Sequence, residues 1–126
     1  MGDCFVNPSR GEGWCRPMVE AALYGKTIIS SKCGGAIDLL PFKYDIPVKE
    51  ETVVSQSWIP WYSGGQKWNV VNEDNLGEMM AAVYKNGPSA GVKDNQKFVI
   101  DNLSLKAIGD IMITRLSEIY EKISNS

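Results

Sequence analysis

The first 31 residues of the chain alternate between extended and helical patterns, and this alternation limits the possible folds more than any other feature. Residues 4–6 form a short apolar run that stops before a proline, which predicts a buried strand followed by a loop. Residues 17–24 predict a short helix with Gly25 as its C-terminal stop. Residues 27–31 are β-branched and apolar, as in a buried parallel strand. The order strand, helix, strand indicates an α/β unit with a right-handed crossover.

The second half of the chain is expected to be mainly helical. Asn72 can cap a helix that ends at residues 86–88, a further helix is expected over 89–101, and the last helix begins near Ser104. The first of these helices carries an apolar stripe of Leu76, Met79, Met80, Val83 and Tyr84. The last helix is expected to bury one face in the core, made of Leu105, Ile108, Ile111, Met112, Leu116, Ile119 and Ile123.

The middle of the chain, residues 41–69, has weak periodicity. Residues 46–48 and 52–54 predict short edge strands, and proline excludes the first of them from the centre of a sheet. Residues 36–40 are expected to form one helical turn. Only two strands are convincing, whereas a complete doubly wound domain has about six. At 126 residues the chain is one domain or less.

Residues 8–22 combine three features that suit a ligand site. Glycines allow close approach of the backbone, and Pro17 suits the first turn of a helix, where its missing N–H is no loss. Open N–H groups at that helix start favour an anion such as a diphosphate. The carboxylates of Glu12 and Glu20, one before the helix and one inside it, can accept hydroxyl donors. An anion site with two hydroxyl acceptors matches the chemistry of a nucleotide-sugar.

The same segment resembles the donor-site motif of the retaining glycosyltransferases of the GT-B fold, family 4 type. The residues that carry the resemblance follow the pattern P-S-x-G-E-G-x-x-x-P-x-x-E-A. The likeness continues through residues 25–31, Gly34 and Gly35, the aromatic residues of 58–68, and the C-terminal helices, so that it covers about residues 3–120. It implies an α/β, partial Rossmann-like fold with parallel strands and C-terminal helices. Residues 1–126 would be a single partial domain, the C-terminal part of a GT-B donor-binding domain.

The resemblance also implies a role for each matching residue. Glu12 would meet hydroxyls of the transferred sugar and is the implied catalytic residue, and Glu20 would meet the ribose hydroxyls. The implied donor-binding residues are Glu12, Gly13, Trp14, Cys15, Arg16 and Glu20. Trp14, Cys15 and Arg16 stand where Phe, Gly and Leu are usual. Arg16 either binds the diphosphate or faces solvent. For Glu12 and Glu20, the alternative interpretation is that both are solvated side chains without a function.

The implied activity is that of a hexosyltransferase, which moves a hexose from a nucleotide-diphosphate sugar to a hydroxyl of a glycan, lipid or protein acceptor with retained configuration. Neither a metal nor a cofactor is implied, and catalysis would come from positioning and from stabilisation of the diphosphate. In that family a separate domain binds the acceptor, and the first strands of the donor domain usually carry an Arg and a Lys that bind the diphosphate. The resemblance includes neither of these parts. The chain alone is therefore expected to be inactive without an N-terminal domain or partner subunit.

Two other functions remain open: a non-catalytic carbohydrate- or nucleotide-binding α/β module, and a structural domain that binds nothing. The aromatic residues of the middle segment bear on the first of these. They could stack on sugar rings, but fixing an irregular loop to its own domain is the favoured role. These residues are Trp58, Trp61, Tyr62 and Trp68.

Composition narrows the range of partners. A net charge of −2 gives no electrostatic case for nucleic acid or an anionic membrane. No apolar run reaches membrane-spanning length and the N-terminus lacks signal-peptide features, so a cytoplasmic location is expected, with peripheral membrane attachment left open. Three cysteines, widely spaced, and no histidine argue against a zinc site and exclude a Cys/His pair within this chain.

Overall fold

The computed structural model describes residues 2–52, 61 and 65–125, and within these ranges the chain forms two sheets, four α-helices and one 3-10 turn. In chain order the elements are β1 (Cys4–Asn7), α1 (Arg16–Leu23), β2 (Thr27–Ser31), the 3-10 turn Gly34–Ala36, β3 (Tyr44–Ile46), β4 (Val48–Thr52), β5 (Lys67–Val71), α2 (Glu73–Asn86), α3 (Val92–Leu103) and α4 (Leu105–Ser124). The fold is mixed α/β with C-terminal helices, as the sequence predicts.

The first sheet is parallel throughout, with the strand order β1-β2-β3. Phe5 lies opposite Ile28 in the register of β1 and β2, and Ile29 lies opposite Tyr44 in that of β2 and β3. The central strand β2 is buried along its whole length, because it has a neighbour on each edge and helices over its faces. The predicted unit of strand, helix and parallel strand is therefore confirmed.

The helices cover both faces of this sheet. Phe5 packs against the buried cluster that includes α1 and α3. The alternate residue Val6 points to the opposite face, where it shares a groove with Met80 and Val83 of α2. The main cluster consists of Cys15, Met18, Ala22, Ile28, Ala36, Leu39, Leu40 and Val99.

The ends of the helices follow the predicted signals. Gly25, with φ +67°, follows α1, and Gly87, with φ +77°, follows α2. The Asn72 side chain accepts the N–H of Asn75 at 3.0 Å, which caps α2 as expected. The third helix begins three residues later than predicted, at Val92, and ends at Leu103.

The middle of the chain departs from the prediction. Residues 46–48 are not one strand, because Pro47 separates β3 of the parallel sheet from β4 of the second sheet. In that second sheet β4 and β5 pair antiparallel, and this hairpin was not predicted from the sequence. Of the strand expected over 52–54, Thr52 ends β4 and the other two residues lie outside the described ranges. The helical turn expected over 36–40 is also wrong, since the 3-10 turn lies earlier, at Gly34–Ala36.

The prediction for the last helix is wrong in a different way. Its apolar residues are exposed rather than buried: Leu105 is 95 % exposed, Ile111 61 % and Leu116 62 %. The remaining members of the predicted face are also exposed: Ile108, Met112, Ile119 and Ile123. The helix α4 packs mainly on α3, so no layer of the described structure covers its apolar face. The stripe of α2 also contains no fully buried residue.

None of the helices in the described ranges is both long enough and apolar enough to cross a bilayer.

Candidate functional site

The loop between β1 and α1 lies at the edge of the sheet where parallel strands end. Because β1 and β2 are parallel, this loop and the turn after β2 leave from the same edge. They are in direct contact: the N–H of Gly35 donates to the carbonyl of Glu12 at 2.8 Å. A Cβ at Gly34 would overlap the Glu12 carbonyl oxygen, and one at Gly35 would overlap that of Gly13. The turn after β2 therefore holds the Glu12 loop in place.

The Glu12 carboxylate is half-buried and turned back toward the start of α1. Its Oε1 accepts the backbone N–H of Cys15 at 3.1 Å. An acidic side chain at this point satisfies one of the unpaired amides of the helix start and complements the helix dipole. In this structure, Glu12 caps the helix.

Cys15 adopts φ 52° and ψ 57° at the N-cap of α1, and among the described residues it is the only non-glycine with positive φ. This left-handed conformation favours glycine, and Cys15 adopts it despite its Cβ. The thiol is buried, and the Asn7 side-chain amide donates to its Sγ at 3.2 Å. Burial raises the pKa of Cys15, with smaller contributions from the charges of Glu12 and Cys33, against a hydrogen bond from the Met18 backbone that lowers it. Cys15 is therefore a protonated thiol at neutral pH.

The start of α1 offers fewer free amides to an anion than the sequence suggests. Pro17 has no N–H, the N–H of Cys15 binds Glu12, and the N–H of Met18 donates to the Cys15 carbonyl at 3.0 Å. Among residues 15–18, Arg16 is therefore the only one with a backbone N–H that these bonds do not use. A diphosphate at this position would have to displace the Glu12 carboxylate from the Cys15 amide.

Arg16 and Glu20 pair with each other on the surface of α1. The Arg16 Nε lies 3.2 Å from a Glu20 carboxylate oxygen, and the side chains are 83 % and 60 % exposed. The two residues and Trp14 line a groove of about 340 Å³ between α1, α3 and the start of α4. In this arrangement the Arg16 side chain is largely exposed to solvent.

The structure thus arranges the six predicted site residues in two groups. Glu12, Gly13 and Cys15 meet at the edge of the sheet, whereas Trp14, Arg16 and Glu20 lie along the groove beside α1.

Several supporting contacts were not predicted. The Ser31 hydroxyl donates to the Ser9 carbonyl at 2.6 Å, and the Cys33 thiol donates to the same oxygen at 3.2 Å. The Asn7 amide reaches Ser30 at 3.4 Å as well as Cys15. Ser30 and Ser31 end the buried strand β2. Because buried hydroxyls require hydrogen-bond partners, these two serines could have indicated such contacts.

The loop also contacts the β4–β5 hairpin. The Arg10 guanidinium lies 4.4 Å from the centre of the Trp68 ring, and the N–H of Asn69 donates to the Arg10 carbonyl at 3.4 Å. Trp61 is 79 % exposed, and the other two aromatic residues of the predicted cluster, Trp58 and Tyr62, lie outside the described residues. In the part of the chain that the structure describes, no group of three or more Cys, Asp or Glu side chains could hold a metal ion.

Comparison of the chain with models of known protein families and with curated proteins gives no match. Any functional assignment therefore depends on the contacts described above and on the resemblance of the Glu12–Glu20 segment.

Proposed function

We propose that the chain is the donor-binding region of a retaining glycosyltransferase that transfers a hexose from a nucleotide-diphosphate sugar to an acceptor hydroxyl. In this proposal it is a Rossmann-like part of a GT-B enzyme, and it acts with an N-terminal domain or a partner subunit. Glu12 meets the transferred sugar, Glu20 meets the ribose, and the backbone at residues 13–16 meets the diphosphate.

The observation that supports this proposal best is the position of Glu12. Its loop leaves the carboxyl end of a parallel strand and leads into a helix, and ligands of open α/β sheets bind outside the carboxyl ends of the strands. Gly34 and Gly35 press directly on the Glu12 and Gly13 backbone, so the loop has a fixed support. A ligand there would meet a carboxylate and helix-start amides together.

Donor binding would exchange one hydrogen bond for others. The hydrogen bond from the Cys15 amide to the Glu12 carboxylate is worth about 1.5–3 kcal/mol, as for other hydrogen bonds to charged groups. Hydrogen bonds between a carboxylate and sugar hydroxyls are worth about 1.5–3 kcal/mol each. A diphosphate can accept the released Cys15 N–H, so Glu12 can turn to the sugar without leaving that amide unpaired.

Glu20 is held only weakly away from a ribose. Its ion pair with Arg16 is solvent-exposed, and such i,i+4 pairs contribute about 0.3–0.5 kcal/mol. That is less than the hydrogen bonds a ribose diol would offer the same carboxylate. The ion pair is therefore compatible with the assigned role of Glu20.

Calorimetric titration of the chain with UDP, GDP and ADP tests this proposal. We expect one of the three to bind, and Glu20→Gln to weaken its binding about tenfold because a charge-assisted acceptor is lost. Glu78→Gln, at an exposed position of α2, is the matched control and should leave the affinity unchanged. Absence of binding for all three nucleotides, or equal affinities of the two variants, would contradict the proposal.

Turnover is a separate expectation. The isolated chain should transfer no labelled hexose from a sugar nucleotide, because the acceptor-binding part of the proposed enzyme is not in it. The second candidate, a binding module without catalysis, is favoured by the engagement of Glu12 as a cap and of Glu20 in an ion pair. Nucleotide binding that survives the loss of the Glu20 carboxylate would favour this alternative.

A further inference from the structure

A cavity distinct from the groove beside α1 lies between residues 9–11 and the β4–β5 hairpin. Its volume is about 740 Å³, within the range of about 300–1,000 Å³ that is usual for small-molecule sites. It does not include Glu12 or Glu20, and the proposed donor site does not use it. Gly11, at its rim, directly precedes Glu12 in the chain.

The walls of this cavity are fixed by specific contacts. The Arg10 carbonyl is bonded to Asn69 of β5, and the Arg10 guanidinium stacks on the Trp68 ring. Cation–π stacking of this kind and the backbone bond together join the loop to the hairpin. Elsewhere in the lining, the Gln66 side-chain amide donates to the Trp61 carbonyl at 2.8 Å and so holds the Trp61 backbone.

The lining is almost balanced in charge. Lys67 is paired with Glu50 at 3.2 Å, so that among the described lining residues Arg10 is the other cation, and Arg10 stacks on Trp68. A polyanion would find little uncompensated positive charge here. The polar groups of Gln66, Asn69 and the Lys67–Glu50 pair instead offer both donors and acceptors to an uncharged polar ligand.

The aromatic part of the lining narrows the ligand class further. Trp61 lines the cavity and is 79 % exposed, so its indole ring is open to a ligand. A hexopyranose has hydroxyls around its rim and a face of C–H groups that stacks on an indole. A ligand with one apolar face and a hydroxylated edge therefore matches this cavity.

We propose that this cavity binds a hexopyranose ring. This proposal does not rest on the proposed glycosyltransferase function. Trp61 is the stacking platform, and Gln66, Asn69 and Glu50 bind the hydroxyls.

The test is a titration of the ¹⁵N-labelled chain with the methyl glycosides of glucose, mannose, galactose and N-acetylglucosamine. Binding is followed at the indole N–H signal of Trp61, which is assigned by its loss in Trp61→Phe. We expect a millimolar dissociation constant for at least one glycoside. Followed by the amide signals of residues 66–69, Trp61→Phe should bind more weakly, and Trp61→Ala should bind about tenfold more weakly than the unmodified chain.

Tyr120→Ala is the matched control, because Tyr120 is 73 % exposed but lies on α4, away from the cavity. It should leave the affinity unchanged. If no glycoside shifts the Trp61 signal, or if Trp61→Ala binds as well as the unmodified chain, the inference is overturned.

The same samples are titrated with UDP, GDP and ADP, which separates the two proposals. Nucleotide binding without glycoside binding would remove the sugar cavity and leave the donor site. Glycoside binding without nucleotide binding would remove the donor function and would leave a carbohydrate-binding cavity.

Discussion

Gly34 and Gly35 show how strongly single residues determine the geometry of the candidate site. Both glycines lie so close to the backbone of Glu12 and Gly13 that a Cβ at either position would overlap it. Gly34 also has φ +53°, a conformation that costs a non-glycine residue about 1–2 kcal/mol. The position of Glu12 therefore depends on the absence of two Cβ atoms in a different loop.

Gly34→Ala should lower the free energy of unfolding by about 3 kcal/mol, since backbone strain adds to the overlap with the Glu12 carbonyl. Gly77→Ala is the control, because a Cβ there meets nothing within 4 Å in an exposed part of α2. It should raise stability by about 0.5–1 kcal/mol. Urea unfolding of both variants measures the difference. A Gly34→Ala chain as stable as the unmodified one would mean that the two loops are not in contact.

The thiols of Cys4 and Cys15 give a dependence on pH. Burial raises the pKa of each above its ordinary value, so both stay protonated to higher pH in the folded chain than in the unfolded one. A raised pKa stabilises the folded state below the unfolded-state value, about 8.5, and this contribution is lost as pH rises through the folded-state value. The free energy of unfolding should therefore decrease above about pH 8.5.

Urea unfolding at a series of pH values, with the double variant Cys4→Ala/Cys15→Ala as comparison, measures this effect. The double variant should lose less stability over the alkaline range than the unmodified chain. Equal losses would show that other groups are responsible.

At the scale of elements, α3 is tied to the segment after β2 by one buried amide. The N–H of Phe42 donates to Asn95 Oδ1 at 3.0 Å, and Asn95 Nδ2 donates back to the Phe42 carbonyl. Asn95 is 1 % exposed, so both backbone groups depend on it as a partner.

Asn95→Ala should lower the free energy of unfolding by about 2–4 kcal/mol, because it leaves a donor and an acceptor of Phe42 unpaired. Asn102→Ala removes an exposed side chain of the same helix, whose amide binds only the carbonyl of Phe98, and should cost less than about 0.5 kcal/mol. Thermal or urea denaturation compares the two. Similar losses for both variants would contradict the role given to Asn95.

The elements that the sequence predicted well are those with strong local signals. The strand over 27–31 has a run of apolar and β-branched residues, and α2 has a cap at Asn72 and a stop at Gly87. The β4–β5 hairpin was missed because β4 is rich in charge and the two strands lie far apart in sequence, so that their pairing is decided by tertiary contacts.

The same distinction applies to the candidate site. Its residues were identified from local glycine, proline and glutamate spacing. The contacts that orient them are between loops, as between Glu12 and Gly35, or between a loop and a hairpin, as between Arg10 and Trp68. No local pattern predicts a contact across more than twenty residues of intervening chain. The engagement of the Cys15 amide by Glu12 could likewise be seen only in three dimensions.

For the whole molecule, the best covered region is the parallel sheet, with α1 and α3 on one face and α2 on the other. The part of the candidate site around Glu12 lies where loops leave this sheet, whereas Trp14, Arg16 and Glu20 lie in the groove beside α1. The apolar face of α4 stands apart from that core, and its exposure is the largest departure from the sequence prediction.

We propose above all that the β1–α1 loop binds a diphosphate at the start of α1, with Glu12 released from the Cys15 amide. Amide NMR spectra of the ¹⁵N-labelled chain during titration with UDP, GDP and ADP test this most directly. We expect the binding nucleotide to shift the Cys15 and Arg16 signals most, whereas the matching nucleoside without phosphates should leave them unchanged. Saturable binding that leaves the Cys15 amide unperturbed, or no binding by any of the three, would contradict it.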